Sequence, residues 1–390
     1  MNNTVDLNLT KIPQELKLIL AIIKDVNNGS VLKEYNHNIN WDVFLKLAFH
    51  HRLYPLLYLN LVRMENNWIP ANVLQTLSHS YKKNTFKMLH LSGEMEKLSK
   101  LFMEHEIRSL VLKGPVLAKD LYGDLSMRTC GDLDILISID DLEKVDKLLV
   151  GLGYEKDEYI QTLLNDWKWR HHHFTYYHPI KGTKIEIHWR LNPSPSKEPN
   201  FNELWERKRQ SEITSYPIYI LSEEDLFYFL VTHGARHGWS RLRWLVDIHQ
   251  IVQKKLNWDI VQKLLKKYQC QKIGGQSLIL SKQLLLTILP KEIRILTTSK
   301  RSRKLASEAI FYLERMVNLH SDPVPRDVAK YHASHLFSLL SFQQKVVYFL
   351  SVLHPFYTDV ETFPLPKKLH FLYFPLRPFL MIWRKARKAA

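Results

Sequence analysis

The chain has 390 residues, of which 45% are hydrophobic, and it contains only 12 glycines and 17 prolines. This composition excludes a disordered or collagen-like chain, and the length allows two or three domains with cores of their own. Lys and Arg exceed Asp and Glu by 16 charges, which favours a negatively charged partner such as a nucleotide, a nucleic acid, a phosphorylated metabolite or an anionic membrane.

Cysteine usage and apolar runs predict the compartment. Two cysteines, Cys130 and Cys270, are too few for a disulfide framework and fit a reducing environment. Residues 1–6 lack a basic segment followed by an apolar one, and no apolar run approaches the roughly 18 residues of a membrane span. We therefore expect a cytoplasmic protein without a transmembrane segment.

Apolar periodicity predicts a helical N-terminal region. Apolar residues recur three and four positions apart, as on one face of a helix, and no strand pattern appears before residue 106. The predicted helices follow Pro13 and then cover 41–50, 53–62 and 71–105.

The pattern changes to strands and short helices between residues 106 and 221. A hairpin is predicted around Lys181-Gly182. The predicted strands are 107–112, 133–137, 173–177, 184–190 and 218–221, and the predicted helices are 116–121 and 140–152.

Helices return after residue 221, where Ser222 and Asp225 resemble a capping box. The predicted helices are 225–235, 244–252, 258–268, 276–289 and 305–319. The predicted fold class is α+β, with an N-terminal helical region (1–105), a small mixed-sheet core (106–221) and a C-terminal helical domain (222–390).

An acidic pair begins the second predicted strand. Asp132 and Asp134 are two residues apart and therefore project from the same face. Two like charges so close repel each other, and a hard divalent cation such as Mg²⁺ relieves that repulsion. The alternative is an ordinary capped loop or a solvated strand end.

A third carboxylate lies on a later strand. The 184–190 segment alternates, so that Glu186 shares a face with Lys184, His188 and Arg190. Asp-x-Asp with a separate acidic residue is the layout of a site that holds two cations roughly 3.5–4 Å apart for nucleotidyl transfer. The alternative for Glu186 is a cross-strand ion pair with a lysine.

Several spaced motifs resemble one known family. They are Val111-Leu112-Lys113-Gly114-Pro115, then Arg128 with Gly131-Asp132-Leu133-Asp134, then Glu186-Ile187-His188-Trp189, and finally His233-Gly234-Ala235-Arg236-His237-Gly238-Trp239 with Leu242 to Asp247. In this order they resemble the bacterial uncharacterised nucleotidyltransferase family, within the DNA-polymerase-beta-like nucleotidyltransferase superfamily.

The resemblance implies a metal-dependent enzyme that uses an NTP and releases pyrophosphate. It implies that Asp132 and Asp134 bind Mg²⁺ or Mn²⁺, with Glu186 as the third ligand or as the base toward the acceptor hydroxyl. The superfamily turn usually has Gly-Gly or Gly-Ser, whereas here it is Gly114-Pro115, and proline lacks both a hydroxyl and an N–H. We therefore expect phosphate binding by Lys113, Gly114 and Arg128.

Other residues of these motifs have open alternatives. Lys113 is either a phosphate ligand or a surface charge, and Arg128 either a phosphate ligand or an ion-pair partner of Asp124 or Asp132. His188, His233 and His237 are candidates for the acceptor side or for orienting the carboxylates, and the alternative is structural hydrogen bonding.

Two further segments have a composition that could indicate a binding site. In His171-His172-His173, adjacent strand residues point to opposite faces, so the three are not expected to chelate one ion. The tail from Lys367 to Lys388 mixes aromatic and basic residues, and it either docks on the helical domain or lies on an anionic membrane. Pro375 and Pro378 are expected to break any single long helix there.

We therefore predict a nucleotidyltransferase that acts on a hydroxyl or phosphate of a small molecule, glycan or peptide. One alternative is a catalytically silent nucleotide-binding or regulatory protein of the same fold. The other is an RNA- or tRNA-directed nucleotidyltransferase, which the net charge allows, although no RNA-binding motif is evident.

Overall fold

The computed structural model describes residues 7–24, 39–64, 68–319 and 323–389. The prediction on residues 1–6 lies outside these ranges. None of the described helices combines the length and the apolar character needed to cross a bilayer.

Four helices precede the sheet and follow the predicted periodicity closely. The side chain of Asn40 caps the second helix by accepting from the N–H groups of Asp42 and Val43 at 3.1 Å. The helices are α1 (Gln14–Lys24), α2 (Trp41–His50), α3 (Tyr54–Arg63) and α4 (Ala71–Glu104).

The middle of the chain forms a mixed seven-stranded sheet in the order β3-β4-β5-β2-β1-β7-β6. Strands β1 and β7 pair in parallel, as do β2 and β5, and the other pairs are antiparallel. The strands are β1 (Ser109–Val111), β2 (Leu133–Ile137), β3 (Glu155–Lys156), β4 (His173–His178), β5 (Thr183–His188), β6 (Arg209–Ser211) and β7 (Ile218–Ile220). The helices between them are α5 (Pro115–Tyr122), α6 (Leu142–Gly151), α7 (Trp167–Arg170) and α8 (Phe201–Glu206).

The rest of the described chain is helical. Ser222 caps the first of these helices, because its Oγ accepts from the N–H of Asp225 at 3.1 Å, which is the Ser222 half of the predicted capping box. The helices are α9 (Glu223–Arg236), α10 (Leu242–Val252), α11 (Trp258–Lys267), α12 (Gln271–Leu285), α13 (Lys300–Glu314), α14 (Arg326–Leu339), α15 (Phe342–Leu353), α16 (Tyr357–Thr362) and α17 (Tyr373–Ala389). Short 3₁₀ helices cover Leu125–Met127, Ile139–Asp141, Lys291–Thr297 and Lys367–Leu372.

The two faces of the sheet enter two hydrophobic clusters. One face, with Leu133, Ile135 and Ile187, packs with buried residues of α4 and α6. Leu136 points the other way, into a larger cluster that joins α1–α4 to the helices from α9 to α13. The N-terminal and C-terminal helices therefore share a core, and the predicted boundaries at 105/106 and 221/222 stay predictions.

The α+β fold class is confirmed, and so is the hairpin, in which His178 pairs with Thr183 and Gly182 has a φ of +63°. The two short edge strands β3 and β6 were missed, because two or three residues carry no alternation. The expectation that Pro375 and Pro378 break the tail helix is wrong. The helix α17 begins at Tyr373, so Pro375 lies in the first turn, where a missing N–H interrupts no helical hydrogen bond, and the helix continues through Pro378.

Candidate active site

Two carboxylates lie side by side on one face of the sheet. In the parallel pair of β2 and β5, Asp134 is the direct cross-strand neighbour of Glu186. Aligned residues on adjacent strands project from the same face, and His188 follows on that face two residues later. The alternation predicted for 184–190 holds as far as His188, where the strand ends.

The Lys113-Gly114 turn brings a cation against Asp134. The N–H of Leu112 donates to the carbonyl oxygen of Asp134 at 2.9 Å, which holds the end of β1 beside β2. As a result, Lys113 Nζ lies 2.8 Å from Asp134 Oδ1. Gly114 has a φ of +88°, a conformation that favours glycine. Pro115 is the first residue of α5, where its missing N–H interrupts no helical hydrogen bond.

Asp134 is the most enclosed acid of the site, with a side chain that is 0% exposed. Burial by itself raises the pKa of this carboxyl, but the charge of Lys113 and the hydrogen bond from His188 outweigh it and lower the pKa. Its other oxygen, Oδ2, is buried without a hydrogen-bond partner among the described residues. A buried carboxylate oxygen of this kind is suited to a ligand that the protein itself does not supply.

A second lysine bridges the other two acids. Lys184 Nζ lies 2.8 Å from Glu186 Oε1 and 3.6 Å from Asp132 Oδ2, so its ammonium supplies the positive charge between them. Burial and the charge of Asp134 raise the pKa of Asp132. Burial also opposes ionisation of Glu186, but the hydrogen bond from His188 and the charge of His173 outweigh it and lower the pKa. The three acids therefore differ in protonation tendency, and Asp132 takes up a proton most readily.

The ring of His188 links the two aligned carboxylates. Its Nε2 lies 3.2 Å from Asp134 Oδ1 and 3.5 Å from Glu186 Oε2. Burial lowers the pKa of His188, but these hydrogen bonds and charges outweigh it, so the pKa lies above its ordinary value. The two acids therefore favour protonation of this imidazole, which would have to lose that proton before it could bind a metal.

Two more histidines approach the same point. The rings of His172 and His173 have centroids 4.4 Å apart, and both residues offer a nitrogen within 4.8 Å of a nitrogen of His188. The expectation that adjacent histidines point apart is wrong for this pair. The reason is that β4 begins at His173, so strand alternation does not apply to His172. His171 is not part of the group.

Helix α9 adds a cation that sequence reasoning did not assign to the site. Arg236 Nη1 lies 3.1 Å from His172 Nε2, and Arg236 Nη2 lies 3.4 Å from His233 Nδ1. Burial lowers the pKa of Arg236 to about 10, and the charges of Glu186, Glu198 and Asp134 act in the opposite direction.

The two predicted acceptor-side histidines lie on and just after this helix. The rings of His233 and His237 have centroids 4.7 Å apart, and His237 stacks on Trp244 at 5.0 Å. Burial, and then the charge of Lys113, lower the pKa of His233 far below its ordinary value. His233 is therefore a neutral neighbour of Lys113.

Arg128 is placed away from solvent, with only 2% of its side chain exposed. Its Nε and Nη2 donate to the two carboxylate oxygens of Asp247 on α10, each at 2.9 Å. Tyr122 also donates to Asp247, at 2.7 Å. Neither of the expected partners, Asp124 and Asp132, forms this ion pair.

The neighbouring Arg243 donates to the carbonyl oxygen of Thr129 at 2.6 Å and to its hydroxyl at 2.9 Å. Together with the Arg128–Asp247 pair, this contact ties α10 to the loop that precedes Asp132. The 242–247 motif thus stabilises the loop that precedes Asp132 and does not itself supply a metal ligand in this arrangement.

The residues fit a divalent cation. Asp134, Glu186 and His188 each offer one ligand atom, and these atoms lie within 4.8 Å of one another. Carboxylate oxygens suit Mg²⁺ or Mn²⁺, whereas a neutral imidazole is more typical of transition metals such as Zn²⁺. The unpartnered Oδ2 of Asp134 is consistent with this use. Asp132 is not part of this close group; it lies on the Lys184 side.

Three residues of the site, Lys184, Arg236 and His172, were not predicted as site residues, and the sequence carried a different amount of information about each. Lys184 shares the Glu186 face by simple alternation. Arg236 belongs to a motif that the resemblance included, but nothing local shows which way its guanidinium extends. His172 needed knowledge of where β4 begins.

Comparisons with known proteins identify the family of the chain. Residues 37–286, nearly two-thirds of the chain and including every predicted site residue, match the family described as uncharacterised nucleotidyltransferase. No curated protein matches the chain. Among solved structures, an antigenic nucleotidyltransferase-like protein from Paracoccidioides brasiliensis aligns at 16% identity over 52% of this chain and 96% of that one, with a TM-score of 0.30. On the family match, this chain belongs to the uncharacterised nucleotidyltransferase family.

Proposed function

We propose that this protein is a metal-dependent nucleotidyltransferase of the DNA-polymerase-beta-like superfamily, which transfers NMP from an NTP to an acceptor and releases pyrophosphate. The observation that carries the proposal is the alignment of Asp134 with Glu186, with Asp132 two residues away and Lys113 Nζ 2.8 Å from Asp134 Oδ1. Three acids with a lysine at a glycine turn match what phosphoryl chemistry requires.

Asp132, Asp134 and Glu186 are the proposed metal ligands, with His188 as a further one or as the group that orients both aligned acids. When bound, Mg²⁺ or Mn²⁺ would supply charge neutralisation for the attacking and leaving oxygens. In this proposal Lys184 leaves its bridging position, since its ammonium occupies the place of a cation between Glu186 and Asp132.

We assign donor phosphate binding to Lys113 and to the backbone at Gly114. Lys113 is close to the acids yet partly exposed, with 14% of its side chain accessible. Arg128 is a poor phosphate ligand, because its guanidinium is buried and paired with Asp247. We therefore assign it a positioning role for the acidic loop.

In this proposal the acceptor binds beside Arg236. A cavity of about 300 Å³ is lined by Arg236 and by residues of the 192–196 segment and of α9, α12, α14 and α15. Most of its lining is apolar, including Ile273, Leu336 and Phe337. A hydroxyl- or phosphate-bearing small molecule, glycan or peptide group would enter here, with its polar end toward Arg236.

Metal binding tests the proposal first. Mn²⁺ titrated into the purified protein should bind, and Asp134→Asn or Glu186→Gln should weaken binding by about a hundredfold, since each removes a charged ligand. Glu158→Gln, on the exposed surface, is the matched control and should bind as the natural chain does. Equal binding by all four proteins would contradict the proposal.

Nucleotidyl transfer is tested with the four labelled NTPs, cell extract as the acceptor source and mass spectrometry of the product. Transfer that persists in Asp132→Asn and Asp134→Asn would overturn the assignment. Nucleotide binding without pyrophosphate release would favour the catalytically silent alternative. The two lysines that already neutralise the acids are the observation on its side.

Recognition of RNA as the acceptor makes a separate prediction. Binding to RNA would weaken steeply as salt rises, because released counterions drive it. Salt-insensitive binding of a small acceptor would exclude this alternative.

A further inference from the structure

Exposed apolar side chains are concentrated near the C-terminus. Among the described residues, thirty large apolar side chains are exposed, and fifteen of them lie between residues 342 and 383. The most exposed of these fifteen are Phe342 (82%), Phe379 (70%) and Ile382 (67%). So large a share within one short segment exceeds the scattered exposure of an ordinary surface.

These side chains follow helical stripes on two helices. On α15, Phe342, Val346, Phe349, Leu350 and Leu353 recur three and four positions apart. On α17, Phe379, Ile382 and Trp383 do the same. The helices contact each other, and the Nε of Arg377 on α17 donates to the carbonyl oxygen of Val352 on α15 at 3.1 Å. We call the exposed apolar residues of α15 and α17 the apolar face.

Polar contacts within the segment fix the orientation of these helices. Asp359 of α16 is 0% exposed and accepts from Arg377 at 2.8 and 2.7 Å and from Arg384 at 2.7 Å. Tyr373 is buried against Leu163 and donates to the carbonyl oxygen of Phe363 at 2.8 Å. The tail therefore docks through one side and presents its other side outward.

Basic residues accompany the apolar face. Lys367, Lys368, Lys385 and Arg387 are exposed, and the exposed acid in 342–387 is Glu361. A self-complementary dimer would bring such like charges toward each other, whereas anionic headgroups neutralise them. Helices that lie in a membrane interface typically combine aromatic and aliphatic side chains with lysines, as this segment does.

We infer that the apolar face and its basic residues bind the surface of a membrane that contains anionic lipids. α15 and α17 lie along the interface, their stripes enter the boundary between headgroups and acyl chains, and the lysines contact the headgroups. Residue Tyr348 of α15 also lines the proposed acceptor cavity, whereas Phe379, Ile382, Lys367 and Lys368 lie outside that cavity and outside the acidic site, so substituting these four tests membrane binding separately from the proposed reaction.

Vesicle co-sedimentation of the full chain tests the inference. The protein should sediment with phosphatidylcholine vesicles that contain phosphatidylglycerol, and more weakly with phosphatidylcholine alone. Phe379→Ser with Ile382→Ser should weaken binding by about a hundredfold, at about tenfold for each large apolar group. Lys367→Gln with Lys368→Gln should weaken it by about fivefold per residue and remove most of the dependence on phosphatidylglycerol.

A matched control comes from α4, where Phe86 and Leu89 are also three positions apart and are 72% and 54% exposed. Phe86→Ser with Leu89→Ser should leave vesicle binding unchanged, and circular dichroism shows whether each variant is folded. No sedimentation of the natural chain, or equal loss in the control pair, would overturn the inference. A dimer of the natural chain in lipid-free buffer that dissociates in the Phe379→Ser, Ile382→Ser variant would also overturn the inference, because the apolar face would then bind a second copy of the chain.

Discussion

Asp134 and Glu186 are aligned neighbours on parallel strands, although many residues and a hairpin separate them in the chain. In the structure their negative charges are balanced by Lys113 and Lys184, whose ammonium groups lie 2.8 Å from one oxygen of each. The site is thus ready for a cation but already partly neutralised.

Replacing Lys113 by Met should move metal and nucleotide binding in opposite directions. Without the ammonium, buried Asp134 has an uncompensated charge, so Mn²⁺ should bind more tightly, by about tenfold, while NTP should bind more weakly by a similar factor. Mn²⁺ should also raise the Tm of this variant more than that of the natural chain. Calorimetric titration and thermal melting measure both effects.

Lys119→Met on the exposed side of α5 is the control for Lys113 and should change neither affinity. If Lys113→Met weakens metal and nucleotide binding together, the lysine does not compete with the metal for Asp134.

Breaking the Arg128–Asp247 pair should destabilise the fold. Both side chains are buried, so Asp247→Asn should lower the free energy of unfolding by about 3–5 kcal/mol. The double variant Arg128→Met with Asp247→Leu should recover part of that loss, since no buried charge is left alone. Urea unfolding measures the difference.

An exposed ion pair provides the comparison. Arg315 and Asp327 are 55% and 64% exposed, and Asp327→Asn should change stability by less than about 1 kcal/mol. If the Arg128→Met variant has normal stability but no longer binds NTP, Arg128 is a phosphate ligand and not a positioning residue.

Two helical glycines should respond to alanine with opposite signs. A Cβ at Gly234 on α9 would lie 2.2 Å from the ring of Trp239, so Gly234→Ala should destabilise by about 1–3 kcal/mol and displace Arg236. A Cβ at Gly93 on α4 would meet nothing within 4 Å, and Gly93→Ala should stabilise by about 0.5–1 kcal/mol. Thermal unfolding of the two single variants measures both changes in stability. Equal changes would show that α9 can shift to accommodate the added Cβ.

Stability should fall as the pH drops from about 6.5 to about 4. Burial lowers the pKa of His332 to about 4, and burial with the charge of Arg241 lowers that of His50 to about 4, against an ordinary 6.5. In this window the unfolded chain binds more protons than the folded one, so acid favours unfolding. Urea unfolding at a series of pH values measures the slope.

The variant His332→Gln tests the assignment. Its stability difference from the natural chain should shrink as the pH falls, because the natural chain alone must then protonate this ring. A constant difference between pH 7 and pH 4 would show that His332 does not contribute to the acid sensitivity.

Local sequence determined much of this protein. Alternation placed Glu186 with His188 on one face of β5, because successive strand residues project to opposite faces whatever surrounds them, whereas Asp132 precedes β2 and strand alternation does not apply to it. Helical periodicity and the Ser222 cap likewise depend on a few neighbouring residues, and they predicted most helices to within a few positions.

Only the tertiary structure decided which residues meet. That β5 lies beside β2 in parallel, with Glu186 level with Asp134, depends on packing across the whole sheet, and a register shift of one residue would have turned Glu186 to the other face. The choice of Asp247 for Arg128, the approach of Arg236 and the outward apolar stripes of α15 and α17 are long-range outcomes of the same kind. Periodicity shows that a face exists, but the free energy of packing the entire chain determines what that face contacts.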